Sequence, residues 1–349
     1  MTSPSGEGIH GESCDHWDRL GKAGLPSPCG VEGRPVLRKK VSRAQLLGLL
    51  AKQPPAVVAM EACATAHEWG RAIGGLGHDV RLVPPIYVKP FVRRQKNDAA
   101  DAEAIAEAAS RPTMRFVALK TEEQQARSMI FRTRDLLVRQ RTQLVNALRG
   151  HMAEHGIVAA HGLAKVKVLA TALRDTGSLH PLVRELGQRY LDHIARLDVE
   201  IAELDKRLRR PSKDDETAKR LQSMPGMGPV TAAAIEAFAP PMATFKRGRD
   251  FAAWLGLVPR QHTTGGKPRL GRTSKMGQRD IRRLLIIGAM TVIRWAVRKG
   301  AAEGSWLARM LAGKPRLVVA IALANKMARS VWAMLSKGQD YRGSALAPA

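Results

Sequence analysis

Two long amphipathic segments in the middle of the chain constrain its fold more than any other feature. In residues 121–152, Ile130, Leu137 and Leu144 recur every seven positions. In a second segment the apolar residues recur in steps of four and three: Tyr190, Ile194, Leu197, Ile201, Leu204 and Leu208. This spacing predicts two long helices with an a/d seam. The seam predicts an antiparallel helical hairpin or a coiled coil between two copies, unless it serves only packing within the chain.

The chain before these helices alternates between short apolar runs and helical patterns. We predict strands at 35–41, 56–60, 79–83 and 114–119, separated by helices at 43–51, 67–76 and 97–109. This order is typical of an α/β domain with a partly parallel sheet. The chain after the long helices is helical and basic. We therefore expect four segments: an irregular, disordered one (1–33), an α/β domain (34–120), a long-helix region (121–215) and a C-terminal helical domain (216–349).

The charge balance points to a polyanionic partner. The 349 residues contain 57 Lys and Arg against 31 Asp and Glu, a net charge of +26. A surplus of this size is typical of proteins that bind nucleic acid. The three cysteines form no CxxC pair, which argues against a disulfide framework and a cysteine zinc site. The longest apolar stretches are shorter than the roughly 20 residues of a membrane span, so we expect a soluble, intracellular protein without a membrane partner.

Three acidic residues form the first candidate site. Glu61 directly follows a predicted apolar strand, and Asp98 and Asp101 lie three positions apart at the start of a predicted helix. Carboxylates gathered at a strand end repel one another unless a cation neutralises them, and Mg²⁺ or Mn²⁺ prefers such oxygen ligands. Divalent cations are standard in phosphodiester displacement. Alternatively, Asp98 and Asp101 only stabilise the helix dipole, and Glu61 is a surface acid.

A glycine-containing turn is the second candidate. The sequence Met-Pro-Gly-Met-Gly-Pro at 224–229 places Gly226 and Gly228 before a predicted helix. Such a turn between helices offers backbone N–H groups to phosphate, as in a helix-hairpin-helix motif. An ordinary turn between two helices is the alternative.

The third candidate is a cationic, glycine-rich segment at 259–283. It contains one acid, and Gly265, Gly266 and Gly271 predict a flexible loop. A hydroxyl in such a loop, at Thr263, Thr264 or Thr273, or at Ser274 next to it, could attack phosphate, or could only donate hydrogen bonds to it. We expect its eight cations to bind nucleic acid: Arg260, Lys267, Arg269, Arg272, Lys275, Arg279, Arg282 and Arg283.

These motifs together resemble a known family. The stretches VVAMEACATAHEWGRAIGGLGHDVRLVPPIYVKP, RQKNDAADAEAIAEA, MPGMGPVTA and AAWLGLVPRQHTTGGKPRLGRTSKMGQRDIRRLL are similar, in this order, to bacterial DEDD insertion-sequence transposases of the "one-ten" group and its "eleven-eleven" subgroup. The resemblance implies an α/β + α architecture. It would comprise a RuvC-like (ribonuclease-H-type) domain, coiled-coil helices, and a helical C-terminal transposase domain with a helix-hairpin-helix.

The resemblance also implies a mechanism. It implies a recombinase that binds DNA, uses a guide RNA encoded by the element, and exchanges strands through a covalent link between a hydroxyl and DNA. Glu61, Asp98 and Asp101 match the second to fourth letters of DEDD and would hold Mg²⁺ or Mn²⁺. Thr264 matches the nucleophile position, with Thr263 next. We further expect a homo-oligomer, a dimer or tetramer formed through the coiled coil, in the bacterial cytoplasm and associated with the nucleoid.

Two departures from the family pattern affect the expected activity. The nucleophile position carries threonine where the family has serine, and the residues before Gly33 contain no apolar strand with the first catalytic Asp. We therefore expect a transposase whose own activity is impaired. The alternatives are a non-catalytic nucleic-acid-binding remnant, and a structure-specific nuclease that needs only the carboxylates.

Overall fold

The contacts within the chain divide it into two compact units. The structure is a computed structural model that describes residues 41–92, 98–209 and 215–342. The units are Met1–Thr121 and Glu122–Ala349. The division lies beside the predicted boundary at 120/121, whereas the predicted boundary at 215 lies inside the second unit. Segment 1–33 and nearly all of the predicted strand at 35–41 lie outside the described residues.

The first unit contains a parallel strand pair with helices packed around it. Its elements are α1 (Arg43–Leu50), β1 (Val57–Glu61), α2 (Ala66–Gly75), β2 (Asp79–Val83), α3 (Pro85–Val88) and α4 (Asp98–Ser110). Strands β1 and β2 pair in parallel, with Val57 opposite Asp79 and Glu61 opposite Val83. A parallel pair needs a crossover connection, and α2 provides it. The predicted parallel pairing is thus confirmed, and Glu61 is the last residue of its strand instead of the residue after it.

A buried histidine joins the first helix to both strands. His78, directly before β2, is 6% exposed. The backbone N–H of Ala56 donates to its Nδ1 (3.1 Å), and its Nε2 lies 3.1 Å from the carbonyl oxygen of Leu50. Since Nδ1 accepts, the ring proton must lie on Nε2, where it is donated to that carbonyl. His78 therefore ties the end of α1 and the start of β1 to β2.

The strand predicted at 114–119 is wrong. In this segment Val117 forms an isolated antiparallel bridge to Leu82, through a 2.7 Å hydrogen bond. The apolar side chains of the segment at 114, 116 and 117 are partly buried, by packing instead of by strand pairing. Phe116 lies beneath the guanidinium of Arg81 at 5.4 Å and packs, with Met114, against the cluster that includes α4.

The two longest helices of the second unit run antiparallel to each other. Its first elements are α5 (Glu122–Glu154), α6 (Val166–Asp175) and α7 (Pro181–Arg209). Arg134 of α5 pairs with Asp205 of α7 (2.6 Å), Arg141 with Asp198, and His151 with Tyr190. Partners move backward along α7 as they move forward along α5, so the predicted antiparallel pairing occurs within one chain.

The predicted seam is present on α7 and displaced on α5. Ile194, Leu197, Ile201 and Leu208 are buried as the heptad pattern predicts. On α5 the predicted Ile130, Leu137 and Leu144 are only partly buried. The buried apolar residues of α5 are instead Phe131, Val145, Leu148 and Met152. Phe131 packs against Phe238 at 5.3 Å, so α5 also contacts helices beyond α7, and its buried face is wider than a two-helix seam.

The remaining helices of the second unit pack around the largest cluster of buried apolar residues among those that the structure describes. Its elements are α8 (Glu216–Gln222), α9 (Pro229–Phe238), α10 (Gly248–Trp254), β3 (Pro259–Gln261), β4 (Leu270–Thr273), α11 (Arg279–Lys299), α12 (Trp306–Gly313) and α13 (Arg316–Lys337). In the described part of the chain, one helix, α13, is long and apolar enough to cross a membrane by length and composition. Its buried residues, from Val319 to Met334, belong to the core shared with α9, α10 and α11.

Candidate functional site

The three predicted carboxylates lie on elements that pack together in the first unit. Glu61 is half-buried at the end of β1, where the backbone N–H of Ala62 continues the pairing by donating to Val83 (2.8 Å). Asp98 and Asp101 are half-buried in the first turn of α4. They share a helical face with Ile105 and Ala108, which are buried in one cluster with Val83.

These carboxylates do not form an assembled metal site. Within the described ranges, no three His, Cys, Asp or Glu side chains are close enough to hold a metal ion together. Their hard oxygen donors suit Mg²⁺ or Mn²⁺. The chemistry of the donors therefore fits the cation, whereas the arrangement in this structure does not bring the three together.

The cationic segment folds into a β-hairpin instead of the predicted flexible loop. Strands β3 and β4 pair antiparallel, and Thr264 and Lys267 bridge across the tip. Gly265 and Gly266 between them have φ values of 54° and 74°. Two consecutive positive φ angles are what a type I′ hairpin turn requires, and glycine adopts them without steric cost. The Gly-Gly pair was the sequence signal for this hairpin.

The two candidate nucleophiles lie near the tip of the hairpin, and both are exposed. The Thr263 hydroxyl accepts a long, 3.4 Å hydrogen bond from the backbone N–H of Arg269. The carbonyl oxygen of Thr264 accepts the 3.0 Å turn bond from Lys267. Ser274 is half-buried at the end of β4, where its N–H donates to Val258 (2.8 Å). Ser274 is thus the least accessible of the three candidates.

Most of the predicted cations lie on the exposed surface. Arg282 differs, because its Nη1 donates to the carbonyl oxygens of Leu255 (2.8 Å) and Met276 (3.1 Å). Burial lowers the pKa of Arg282 below its ordinary value, and the charge of Arg279 adds to this effect. Arg282 therefore supports the hairpin in this structure. Seven predicted cations are exposed: Arg260, Lys267, Arg269, Arg272, Lys275, Arg279 and Arg283.

Two glycines hold the base of the hairpin together. A Cβ at Gly256 would overlap the backbone of Met276, and one at Gly277 would overlap the carbonyl oxygen of Trp254. Both glycines also have positive φ, 69° and 80°. Hydrogen bonds cross between the same segments, from Lys275 to Gly256 (3.2 Å) and from Gln278 to Trp254 (3.3 Å). The base is therefore held rigidly, and it fixes the direction of the exposed strands.

The turn at 224–229 packs against α11. Gly226 has φ 83°, and a Cβ there would lie 2.7 Å from the carbonyl oxygen of Gly288. Gly228 is the N-cap residue of α9, with open space around its Cα. Gly226 therefore has a packing role, in which it lets the turn approach α11 closely. Phosphate binding by this turn stays a prediction.

Comparisons with known proteins match both units. Residues 218–303 match the Transposase IS116/IS110/IS902 family, and residues 31–157 match the DEDD transposase family of the IS110 type. The chain is 45% identical over 310 residues to the "Probable family 20 transposase" of Pseudomonas aeruginosa, covering 88% of this chain and 92% of the relative. It is 42% identical over 323 residues to the transposase for insertion sequence element IS1328 of Yersinia enterocolitica, covering 92% and 96%.

A further relative is the transposase for insertion sequence element IS1111A of Coxiella burnetii. It is 37% identical over 319 residues, which are 90% of this chain and 87% of the relative. Identity at this level over nearly the full length of both chains confirms the resemblance drawn from the motifs. The chain belongs to the IS116/IS110/IS902 family of insertion-sequence transposases and is an enzyme of DNA transposition.

Proposed function

We propose that this transposase exchanges DNA strands through a covalent link between a threonine of the hairpin and DNA. One observation carries the proposal: the hairpin holds Thr263 and Thr264 exposed among cations, on a base that is itself tightly packed. In the reaction, a bond forms between Oγ1 and phosphorus while the bond from phosphorus to the departing sugar oxygen breaks. Overall, the hydroxyl proton passes to that oxygen. Guanidinium and ammonium groups at Lys267, Arg269 and Arg272 would neutralise the charge that develops on the phosphate.

Glu61, Asp98 and Asp101 are proposed to hold a divalent cation, Mg²⁺ or Mn²⁺. When bound, such a cation neutralises phosphate charge and polarises the P–O bond. Since the carboxylates are not assembled in this structure, we propose that they converge on the cation when it binds. Half-burial of all three at packed elements supports this assignment.

The proposed partners are DNA and an element-encoded guide RNA. The net charge of +26 and the exposed cations of the hairpin support phosphate binding. The turn between α8 and α9 would add contacts as a helix-hairpin-helix. We further propose a homo-oligomer formed by coiled-coil contacts of the long helices, acting in the cytoplasm at the nucleoid and without a membrane partner.

Impaired activity of this chain is part of the proposal. The resemblance implies a Gly-Ile-Asp (GID) strand motif that supplies the first carboxylate of the family, and the sequence of residues 1–33 contains no such motif. A secondary, β-branched threonine hydroxyl is also more hindered than the serine of the family. Losing a metal ligand typically costs orders of magnitude in rate, so the missing carboxylate is expected to matter more than the threonine methyl group.

Covalent adducts on denaturing gels test the proposal. We expect few or no adducts from the unmodified chain on element-end DNA, and adducts once a GID-type strand replaces residues 1–33. In the repaired chain Thr264→Ser should raise the adduct yield and Thr264→Ala should lower it, with Thr263→Ser and Thr263→Ala as the parallel pair. Adducts that survive the double Ala replacement would move the nucleophile to another residue, with Ser274 next. Abundant adducts from the unmodified chain would contradict the proposed impairment.

The proposed metal site has its own matched control. Asp98→Asn and Asp101→Asn should abolish metal-dependent adduct formation while leaving nucleic-acid binding intact. Glu103→Gln lies on the same helix, outside the face shared by Asp98 and Asp101, and should have little effect. Equal losses from all three replacements would mean that the helix, and not a metal site, is being disturbed.

A second candidate function is non-catalytic nucleic-acid binding. It is favoured by the unassembled carboxylates within the described ranges. It predicts salt-dependent binding without adducts, even in the repaired chain.

A further inference from the structure

The N-terminal part of α11 contacts both the base of the hairpin and the long helix α5. Arg282 and Arg283 are neighbours in sequence and point to different partners. Arg282 donates to the base of the hairpin, whereas Nη1 of Arg283 lies 2.8 Å from Oδ1 of Asp135 in α5. This contact joins residues 148 positions apart in the chain, both in the second unit.

Asp135 gathers several arginines around itself. Its Oδ2 lies 3.6 Å from Nε of Arg139, one turn further along α5. Arg279 and Arg283 lie four positions apart, on one face of α11. Burial alone would raise the pKa of Asp135. The hydrogen bond from Arg283 and the charges of Arg283, Arg139 and Arg279 outweigh it and hold the pKa below its ordinary value. Two guanidinium groups, those of Arg139 and Arg283, thus contact one carboxylate, and the charge of Arg279 acts on the same carboxylate.

The arginines of this cluster keep most of their hydrogen-bonding capacity for another partner. The Asp135 side chain is only 19% exposed, whereas Arg139 is 65% and Arg283 is 42% exposed. Each guanidinium has five N–H donors, and the two contacts use few of them. The neighbouring acid on α11 is Asp280, whose charge acts on Arg282. Oriented, exposed guanidinium groups are the preferred partners of phosphate oxygens.

The exposed face of α11 continues from this cluster. Ile287, Thr291, Arg294 and Arg298 follow Arg283 along one exposed stripe of the helix. Residues 281–299 contain no acid. A polyanion held at the cluster would therefore meet further cations along α11 and no repulsive charge from that segment of the helix.

We propose that Arg139 and Arg283, held in place by Asp135, form with the exposed Arg279 a clamp for the phosphodiester backbone of a nucleic acid. The α11 residues of the clamp follow the hairpin closely in sequence, because α11 begins six residues after the end of β4. The clamp adds α5 to the surface that contacts nucleic acid. The inference rests on the proposed function, because it assumes that the second unit binds nucleic acid. Arg139 would contact the phosphodiester backbone of the nucleic acid, and Asp135 would be a positioning residue that does not touch the nucleic acid.

Arg139→Gln and Arg189→Gln form a matched pair for the test. Each removes one positive charge from an exposed arginine that pairs with an acid four positions before it, Asp135 or Glu185. Binding of the full chain to a labelled 20-base-pair DNA duplex, and to an RNA duplex of the same length, is measured by fluorescence polarisation. We expect Arg139→Gln to weaken binding about tenfold and to reduce the salt slope by about one, and Arg189→Gln to change affinity less than about twofold. Equal effects of the two replacements would overturn the clamp.

Asp135→Asn separates positioning from charge. The replacement raises the net charge by one, so a surface that acts by charge alone would bind more tightly. The clamp predicts weaker binding, by about fivefold, because the guanidinium groups lose their fixed orientation. Tighter binding would overturn the role of Asp135, and thermal unfolding of each variant shows whether the fold is retained.

The two duplexes separate the sources of the phosphate. An equal loss on DNA and RNA assigns the clamp to the shared backbone, and a loss on one assigns it to that polymer. A wild-type chain that binds neither duplex would instead contradict the proposed function. A wild-type chain that binds both, and whose Arg139→Gln variant binds equally well, would refute the clamp alone.

Discussion

The hairpin of the second unit contains two pairs of glycines that differ in what surrounds them. At the base, a Cβ on Gly256 or Gly277 would overlap backbone atoms of the opposing segment. At the tip, Gly265 and Gly266 have nothing within 4 Å of such a Cβ. All four have positive φ angles. The base therefore requires glycine for space and conformation together, whereas the tip requires it for conformation alone.

This difference indicates how the hairpin divides its tasks. On one side of the base, Leu255 and Leu257 belong to the core of the unit, and the close backbone contacts across the base set the direction of the strands. The exposed tip carries the hydroxyls and cations and is open to a large ligand. Variants of the base are expected to lower stability strongly, and variants of the tip are expected to lower it only slightly and to act mainly on local geometry and binding.

Gly277→Ala is expected to have the largest effect. The added methyl group overlaps the carbonyl oxygen of Trp254 and also disfavours the φ of 80°. Backbone atoms on both sides cannot move aside cheaply, so we expect a loss of about 4 kcal/mol in the free energy of unfolding. Urea denaturation followed by tryptophan fluorescence measures it. Gly300→Ala is the control, since it has φ 91° and open space. Equal losses from the two would show that the crowding at the base has no energetic weight.

Glu236 provides a pH-dependent test of the packed interior, away from the hairpin. The pKa of Glu236 is raised from 4.5 to about 7, mainly by burial. The negative charge of Asp215 and a hydrogen bond with Asp215 raise this pKa further. The ion pair with Arg127 (2.8 Å) lowers it and only partly opposes these effects. The folded state thus binds the proton more tightly than the unfolded state. The stabilisation that protonated Glu236 contributes to the free energy of unfolding is therefore fully present below about pH 4.5. It is lost as the pH rises through about 7, and the loss amounts to up to about 3 kcal/mol.

The variant Glu236→Gln checks this dependence. The amide can still accept from Arg127 and can donate to Asp215 without ionising. The difference in unfolding free energy between the two proteins should therefore change between pH 4.5 and 7.5. Asp135, whose pKa is lowered, titrates at lower pH and does not interfere in this window. A constant difference across the window would mean that Glu236 titrates normally.

Arg282→Ala should lower the free energy of unfolding by an intermediate amount and should loosen mainly the base of the hairpin. It removes hydrogen bonds to Leu255 and Met276 and leaves two carbonyl oxygens without that donor. We expect a loss of about 2 kcal/mol and faster proteolysis within residues 259–273. Arg282→Lys should restore part of the protection, because an ammonium group can donate to the same carbonyls. Unchanged proteolysis in Arg282→Ala would show that the glycines hold the base without it.

Gly266→Ala is expected to have the smallest effect. The Cβ meets no neighbouring atom, so the cost is that of a positive φ alone, about 1 kcal/mol. Stability should fall only slightly, as measured by the same urea denaturation. A loss as large as that of Gly277→Ala would remove the distinction between tip and base.

Sequence patterns located correctly most helices and both strands of the described part of the first unit. The strand Asp79–Val83 has the predicted bounds, and α5 and α7 cover the predicted heptad segments. These features depend on the periodicity of apolar residues, which is local. The strand at 114–119 was predicted wrongly, because Met114 and Phe116 are partly buried by packing against the cluster that includes α4, and extended pairing is limited to one isolated bridge.

The sequence by itself determined the family, the cationic character of residues 259–283 and the positions of Glu61, Asp98 and Asp101 on a strand end and a helix start. Only the tertiary structure decided that Arg282 supports the hairpin while Arg283 faces Asp135, and that Gly226 packs against Gly288. The sequence does not distinguish the roles of Arg282 and Arg283, because the partners of these two neighbours lie 27 and 148 positions away. Which partner each one meets depends on how the helices pack, and no local pattern encodes that arrangement.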